Sequence, residues 1–160
     1  MAFATIASKG QTTIPKEVRA AANLKSGDRI HFTVLEDGTI IVRVKNRSIG
    51  DISFKPPGGK QTRRARKLVD QAIGRDEPVL VSLLVLLESE WVLRSRYGFN
   101  REALLSIFRA LLEARELSFE DEPALEEALF RWKDSACGFS DCLITAHNRQ
   151  MGCRATATFD

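Results

Sequence analysis

The chain has 160 residues, 44% of them hydrophobic and 28% charged, with a formal net charge of +3. That length suits one ordinary domain or two small ones, and the apolar fraction can fill a core. The most apolar run, "PVLVSLLVLL" (78–87), is shorter than the ~18 residues a membrane span needs. The N-terminus has no basic stretch leading into an apolar core, so no signal peptide is expected and the chain reads as cytoplasmic. Cys137, Cys142 and Cys153 form an odd set, which favours free reduced thiols over a disulfide framework.

Charge is unevenly spread. Residues 1–60 carry ten cations against five anions, and residues 61–75 carry five against one. Residues 76–160 carry nine cations against fifteen anions. A basic front and an acidic back suggest two units. The front suits phosphates. The back suits a metal, or the front itself.

In chain order, "FATIAS" (3–8) and "TTI" (12–14) are β-prone and flank a turn at "KGQ". Pro15 suits a helix start, with "KEVRAAAN" behind it and a turn at Gly27. In "RIHFTVLEDGTIIVRVK" (29–45), Asp37-Gly38 separates two alternating runs and predicts a hairpin. So small a sheet cannot bury a core alone, which favours a dimer. Residues 46–60, "NRSIGDISFKPPGGK", read as an extended tail with scattered hydrophobes.

Helical spacing returns at "QTRRARKLVDQAI" (61–73). "VLVS" after Pro78 reads as a strand, and 83–97 as a long apolar helix. Residues 100–115 form an amphipathic helix capped by Asn100. "ELSF" (116–119) reads as a strand and 122–135 as a helix. Residues 140–152 form a helix capped by Ser140 and stopped by Gly152, before a strand in "CRATATFD". Strands alternating with helices imply an α/β unit with a parallel sheet. The fold class is α+β overall, with an N-terminal β domain followed by an α/β domain.

"SKGQTTIPKEVRAAANLKSGDRIHF" (8–32) with "EDGTIIVRVK" resembles the AbrB/MazE/SpoVT family of swapped-hairpin DNA-binding domains, which VapB-type antitoxins also carry. The resemblance covers about residues 3–46. It implies an interleaved homodimer bound to operator DNA, repressing a toxin–antitoxin locus. Lys9, Lys16 and Arg19 suit phosphate oxygens, whereas Gln11, Thr12 and Thr13 suit base edges. The following segment, with Arg47, Ile49, Ile52 and Phe54, resembles the tail that binds a toxin, and Arg43 or Arg47 is placed to reach acidic groups.

"PVLVSLLVLLESEWVLRSRYGFNREAL" (78–104) with "FSDCLITAHNRQMGCRATATFD" (139–160) resembles the PIN domain of VapC-type toxins. The resemblance implies a Mg²⁺-dependent endoribonuclease acting on RNA, its metal held by clustered carboxylates. Glu88, Asp141 and Asp160 match catalytic and metal-binding positions. The family's opening strand, with its aspartate, has no counterpart before the helix starting near Gln61. Asp51 is the nearest substitute. The expected layout is therefore a DNA-binding domain at 1–46, a tail at 47–60, and a truncated PIN-like domain at 61–160 lacking its first strand. The expected activity is antitoxin-type regulation with a weak or inactive PIN part. A Mg²⁺-dependent RNase restrained in cis, or a protein titrating a separate VapC-type toxin, are the alternatives. Cys142, His147 and Cys137 fit no zinc spacing.

Overall fold

The DG signal is realised as a hairpin. β1 (Ile30–Val34) and β2 (Ile40–Val44) pair antiparallel, with Phe32 opposite Val42 and Val34 opposite Ile40. Gly38 takes φ 81°, a left-handed turn conformation that favours glycine. The computed structural model describes residues 2–52, 60–75 and 77–157. Before the hairpin lies a short helix, α1 (Lys16–Ala21), with Pro15 at its N-cap.

Residues 3–8 and 12–14 form no strand. They are joined by a turn in which Gly10 N–H donates to the Ala7 carbonyl at 2.9 Å and Ala7 N–H to that of Gln11 at 2.7 Å. β-branched residues favour extension, but a strand needs a ladder partner. Within this chain, Phe3 and Ile6 stay exposed.

The second unit contains α2 (Lys60–Gly74), β3 (Val79–Val81), α3 (Leu83–Tyr97), α4 (Arg101–Leu112), β4 (Leu117–Phe119), α5 (Glu122–Trp132) and α6 (Phe139–Gln150). β3 and β4 pair in parallel, with Val79 opposite Leu117 and Val81 opposite Phe119. The helix boundaries follow local chemistry. Ser82 and Asn100 cap α3 and α4 by accepting from Val85 N–H and Ala103 N–H. Gly98 ends α3 in the left-handed region.

Two expectations at α6 need correction. Ser140 lies within the helix, whose N-cap is Gly138. The Asp141 carboxylate reaches back to Gly138 N–H at 3.0 Å, stabilising a start two residues earlier than a Ser140 cap would give. The strand expected in 153–160 is also not formed through residue 157. Residues 158–160 lie outside the described part.

The core fills the space between α4, α5 and α6. Leu104, Phe108 and Leu112 meet Leu125, Ala128, Leu129 and Trp132, with Phe139, Leu143 and Ala146. Phe108 stacks on Phe139 with centroids 5.0 Å apart, and Trp132 tilts against the same ring at 5.2 Å. α5 is buried at six consecutive positions, Ala124 to Leu129, including Glu126 and Glu127. A helix covered all round is sandwiched. Here α4 and α6 cover one side, and the β1–β2 hairpin covers another.

Candidate functional site

Alternation along the hairpin gives its two faces different work. Phe32, Val34, Ile40 and Val42 form one exposed apolar face. The opposite face presents His31, Thr33, Arg43 and Lys45 to α5. Arg43 Nε donates to Glu126 Oε1 at 2.9 Å, and its guanidinium also bonds Glu122 and the Leu112 carbonyl. Lys45 Nζ donates to Glu122 Oε2 at 3.0 Å and lies 5.7 Å from the Phe119 ring centroid. Thr33 Oγ1 donates to Glu126. At the hairpin turn, Glu36 pairs with Arg149, which also binds Glu127.

The tail continues this contact. Arg47 Nη1 donates to Glu113 at 3.0 Å, and its backbone bridges in parallel to Ala114. Glu116 accepts from Ser48 Oγ at 2.9 Å and from Ile49 N–H at 3.0 Å, holding a 3-10 turn at Ile49–Asp51. Ile49 and Ile52 pack against the core. Phe54 lies outside the described residues. Burial would raise the Glu122 carboxyl, but hydrogen bonds from Lys45 and Arg43 outweigh it and hold the pKa below its ordinary value. Glu116 is lowered in the same way. Burial opposes the shift, and donation from Ile49 N–H, its own N–H and Ser48 prevails.

The five residues matched to DNA contact lie on the N-terminal turn and α1. Lys9, Gln11 and Thr13 are exposed on or beside the Ala7–Gln11 turn, and Lys16 and Arg19 are exposed on α1. They lie together on 11 residues of chain, and none has a partner in the second unit among the described contacts.

The acidic positions lie in the second unit. Glu88 is exposed on α3, while Glu90 is the buried acid of that helix and pairs with Arg94 at 2.8 Å. Asp141 is half-buried and engaged with Gly138 N–H. Asp160 lies outside the described residues. Among the described residues no group of three or more His, Cys, Asp or Glu side chains is arranged to hold a metal ion. Asp51 is spent locally, accepting from Ser48 N–H at 3.3 Å. Cys137, Cys142 and Cys153 are free, and burial pushes the Cys142 thiol pKa up. His147 pairs with Asp121 at 2.7 Å rather than with a cysteine.

Sequence reasoning missed Glu113, Glu116, Glu122 and Glu126 as the partners of the front half. The available signal was the acidic excess of the back half and the i, i+4 spacing of Glu122 and Glu126 on a helix.

The chain thus has two parts, a basic hairpin unit seated on an α/β unit. Residues 3–50 match the family described as Antidote-toxin recognition MazE, bacterial antitoxin. Residues 58–160 match the PIN domain, and the chain belongs to the PIN domain family. No curated protein and no solved structure matches the chain. Among the described residues no helix is long and apolar enough to cross a membrane.

Proposed function

We propose that this chain is a dimeric, DNA-binding, antitoxin-type regulator of a toxin–antitoxin locus, fused to a PIN part of weak or no nuclease activity. The observation that carries it is the separation of surfaces on the N-terminal unit. Lys9, Gln11, Thr13, Lys16 and Arg19 stay open to solvent while the hairpin docks on α5. The apolar face of Phe32, Val34, Ile40 and Val42 is the surface a second copy would cover. Two copies would then present two basic turns to a palindrome-like operator. A gel shift on the upstream DNA tests this. Affinity should fall steeply with salt, and Lys9→Ala with Arg19→Ala should lower the log–log salt slope by about 1.8 per protomer. An unchanged slope and affinity would overturn the site assignment.

A second reading is a Mg²⁺-dependent endoribonuclease restrained in cis. It is favoured by the seating of Arg47, Ile49 and Ile52 on the PIN unit. RNA cleavage with Mg²⁺ that appears once the N-terminal unit is released, and is abolished by Glu88→Gln, would establish it. Absence of cleavage after release of the N-terminal unit supports the regulator.

A further inference from the structure

We infer that α2 is a second DNA contact of this chain, one that rests on the DNA-binding reading and extends it to the PIN unit. Arg63, Arg64, Arg66 and Lys67 form a face that takes the phosphate backbone of duplex DNA beside the stretch met by the N-terminal unit.

The sequence sets two faces on α2. At about 100° per residue, Arg63, Arg64, Arg66 and Lys67 fall within an arc of about 160°. Leu68, Val69, Ala72 and Ile73 fall on the opposite side, within about 140°. Val69 and Ala72, at the centre of the apolar arc, are half-buried, whereas Leu68 and Ile73 at its margins are exposed. The helix therefore lies apolar side down, and all four cations are exposed. Asp70, also exposed, closes the basic face one turn further on.

No described acid pairs with these charges. Every ion pair among the described residues lies elsewhere. α2 has no acid in its first turn, and its cations crowd the N-terminal half, where the helix dipole favours anions. Arg63 lies at i+3 and i+4 from Arg66 and Lys67, and Arg64 at i+3 from Lys67, spacings at which like charges repel. A polyanion laid along the face relieves both costs. Phosphate oxygens supply that charge and accept the two-pronged hydrogen bonds of guanidinium groups.

Placement favours DNA as the polyanion. Ile73 lines a cavity with Gly27, Asp28 and Arg29 of the N-terminal unit. The basic block therefore runs from about 9 to about 15 Å along the helix from that junction. Arg29 is exposed, as is Arg75 two residues after Ile73. Two acids of the cavity are already engaged, Asp28 by Lys25 N–H and Asn46, and Glu116 by Ser48 and Ile49 N–H. Duplex DNA carries one charge per about 1.7 Å of axis, so one duplex can meet both basic sets. A lipid surface fits less well, because the middle of the apolar stripe is already covered.

The test is duplex binding by the full chain, read by fluorescence anisotropy across a salt series. The probes are the upstream operator and an unrelated duplex of equal length. Arg63→Gln, Arg64→Gln, Arg66→Gln and Lys67→Gln together keep helix propensity. They should lower the log–log salt slope by about 0.9 per contact, up to about 3.6 per protomer, on both duplexes alike. The charge-keeping set Arg63→Lys, Arg64→Lys and Arg66→Lys should retain the wild-type slope. A fall of less than about 0.9 in the glutamine set overturns the inference, as does an equal fall in the lysine set. So does a defect seen only with structured RNA or only with phosphatidylserine vesicles. Lys9→Ala with Arg19→Ala reports separately on the N-terminal unit. If that pair changes nothing while the glutamine set lowers the slope, the N-terminal assignment fails and the α2 contact stands.

Discussion

Replacing Arg43 with alanine removes the cation on which the interface between the two units is centred. The Arg43 side chain is 9% exposed and the Glu126 side chain 6%. The substitution leaves Glu126 buried with Thr33 as its remaining partner across the interface. Glu122 fares better, since it keeps Lys45 and is 19% exposed. Removing one partner of a buried pair costs about 3–5 kcal/mol, and retained partners place this case near the lower end, about 3 kcal/mol. The Arg47–Glu113 pair is 45% and 35% exposed. Exposed pairs are worth about 0–1 kcal/mol, so Arg47→Ala should cost no more than about 1 kcal/mol. Arg43→Lys should fall between, because an ammonium cannot fork to two carboxylates and a carbonyl. Equilibrium urea unfolding of the full chain reads all three. Equal costs for Arg43→Ala and Arg47→Ala, or no cost for either, would refute the view that the units are held by a buried ionic centre.

Acid should loosen the same contact. The Glu122 and Glu116 carboxyls lie below their ordinary value of 4.5 in the folded chain. Their contribution is therefore complete above pH 4.5 and is lost as pH falls through the lowered values. Thermal melting should be insensitive to these groups from pH 7 to about 5 and decline below 4.5, with a shallower decline in Glu122→Gln. Val42→Asp places a charge on the open apolar face and should yield monomers in sedimentation, while the Arg43 contacts on the opposite face persist. Phe108→Ala, at 1% exposure and stacked on Phe139, should cost about 3–5 kcal/mol in urea unfolding.

Local chemistry was legible where it acts over a few residues. The α3 range, the Asn100 cap, the Asp37-Gly38 hairpin and the β4 strand all follow from periodicity and turn residues close in sequence. The strand expectations at 3–8 and 12–14 failed because strand formation depends on a partner that propensity does not supply. The misplaced α6 cap has a similar origin. Ser140 is a strong capping residue, but an acid at 141 favours a start at Gly138 by reaching back to its N–H. The positions of Glu88 and Asp141 on helices could be read from the sequence, whereas their surroundings depend on tertiary packing. Glu90 shows this. It lies two residues from Glu88, yet it is the one that α3 buries.

The two faces of the hairpin connect these points. A two-stranded sheet has too little area to be stable alone. In this chain β1 and β2 gain one cover from α5, through Thr33, Arg43 and Lys45. Their other face, Phe32, Val34, Ile40 and Val42, remains apolar and exposed. Because side chains alternate, docking on the PIN unit and the proposed pairing with a second copy would not compete for the same residues. Docking leaves the face proposed for pairing free and supports the strands that carry it. Loss of Arg43 should therefore weaken self-association indirectly, whereas loss of Val42 should leave docking intact. That asymmetry separates a chain whose halves cooperate from one in which they are merely tethered.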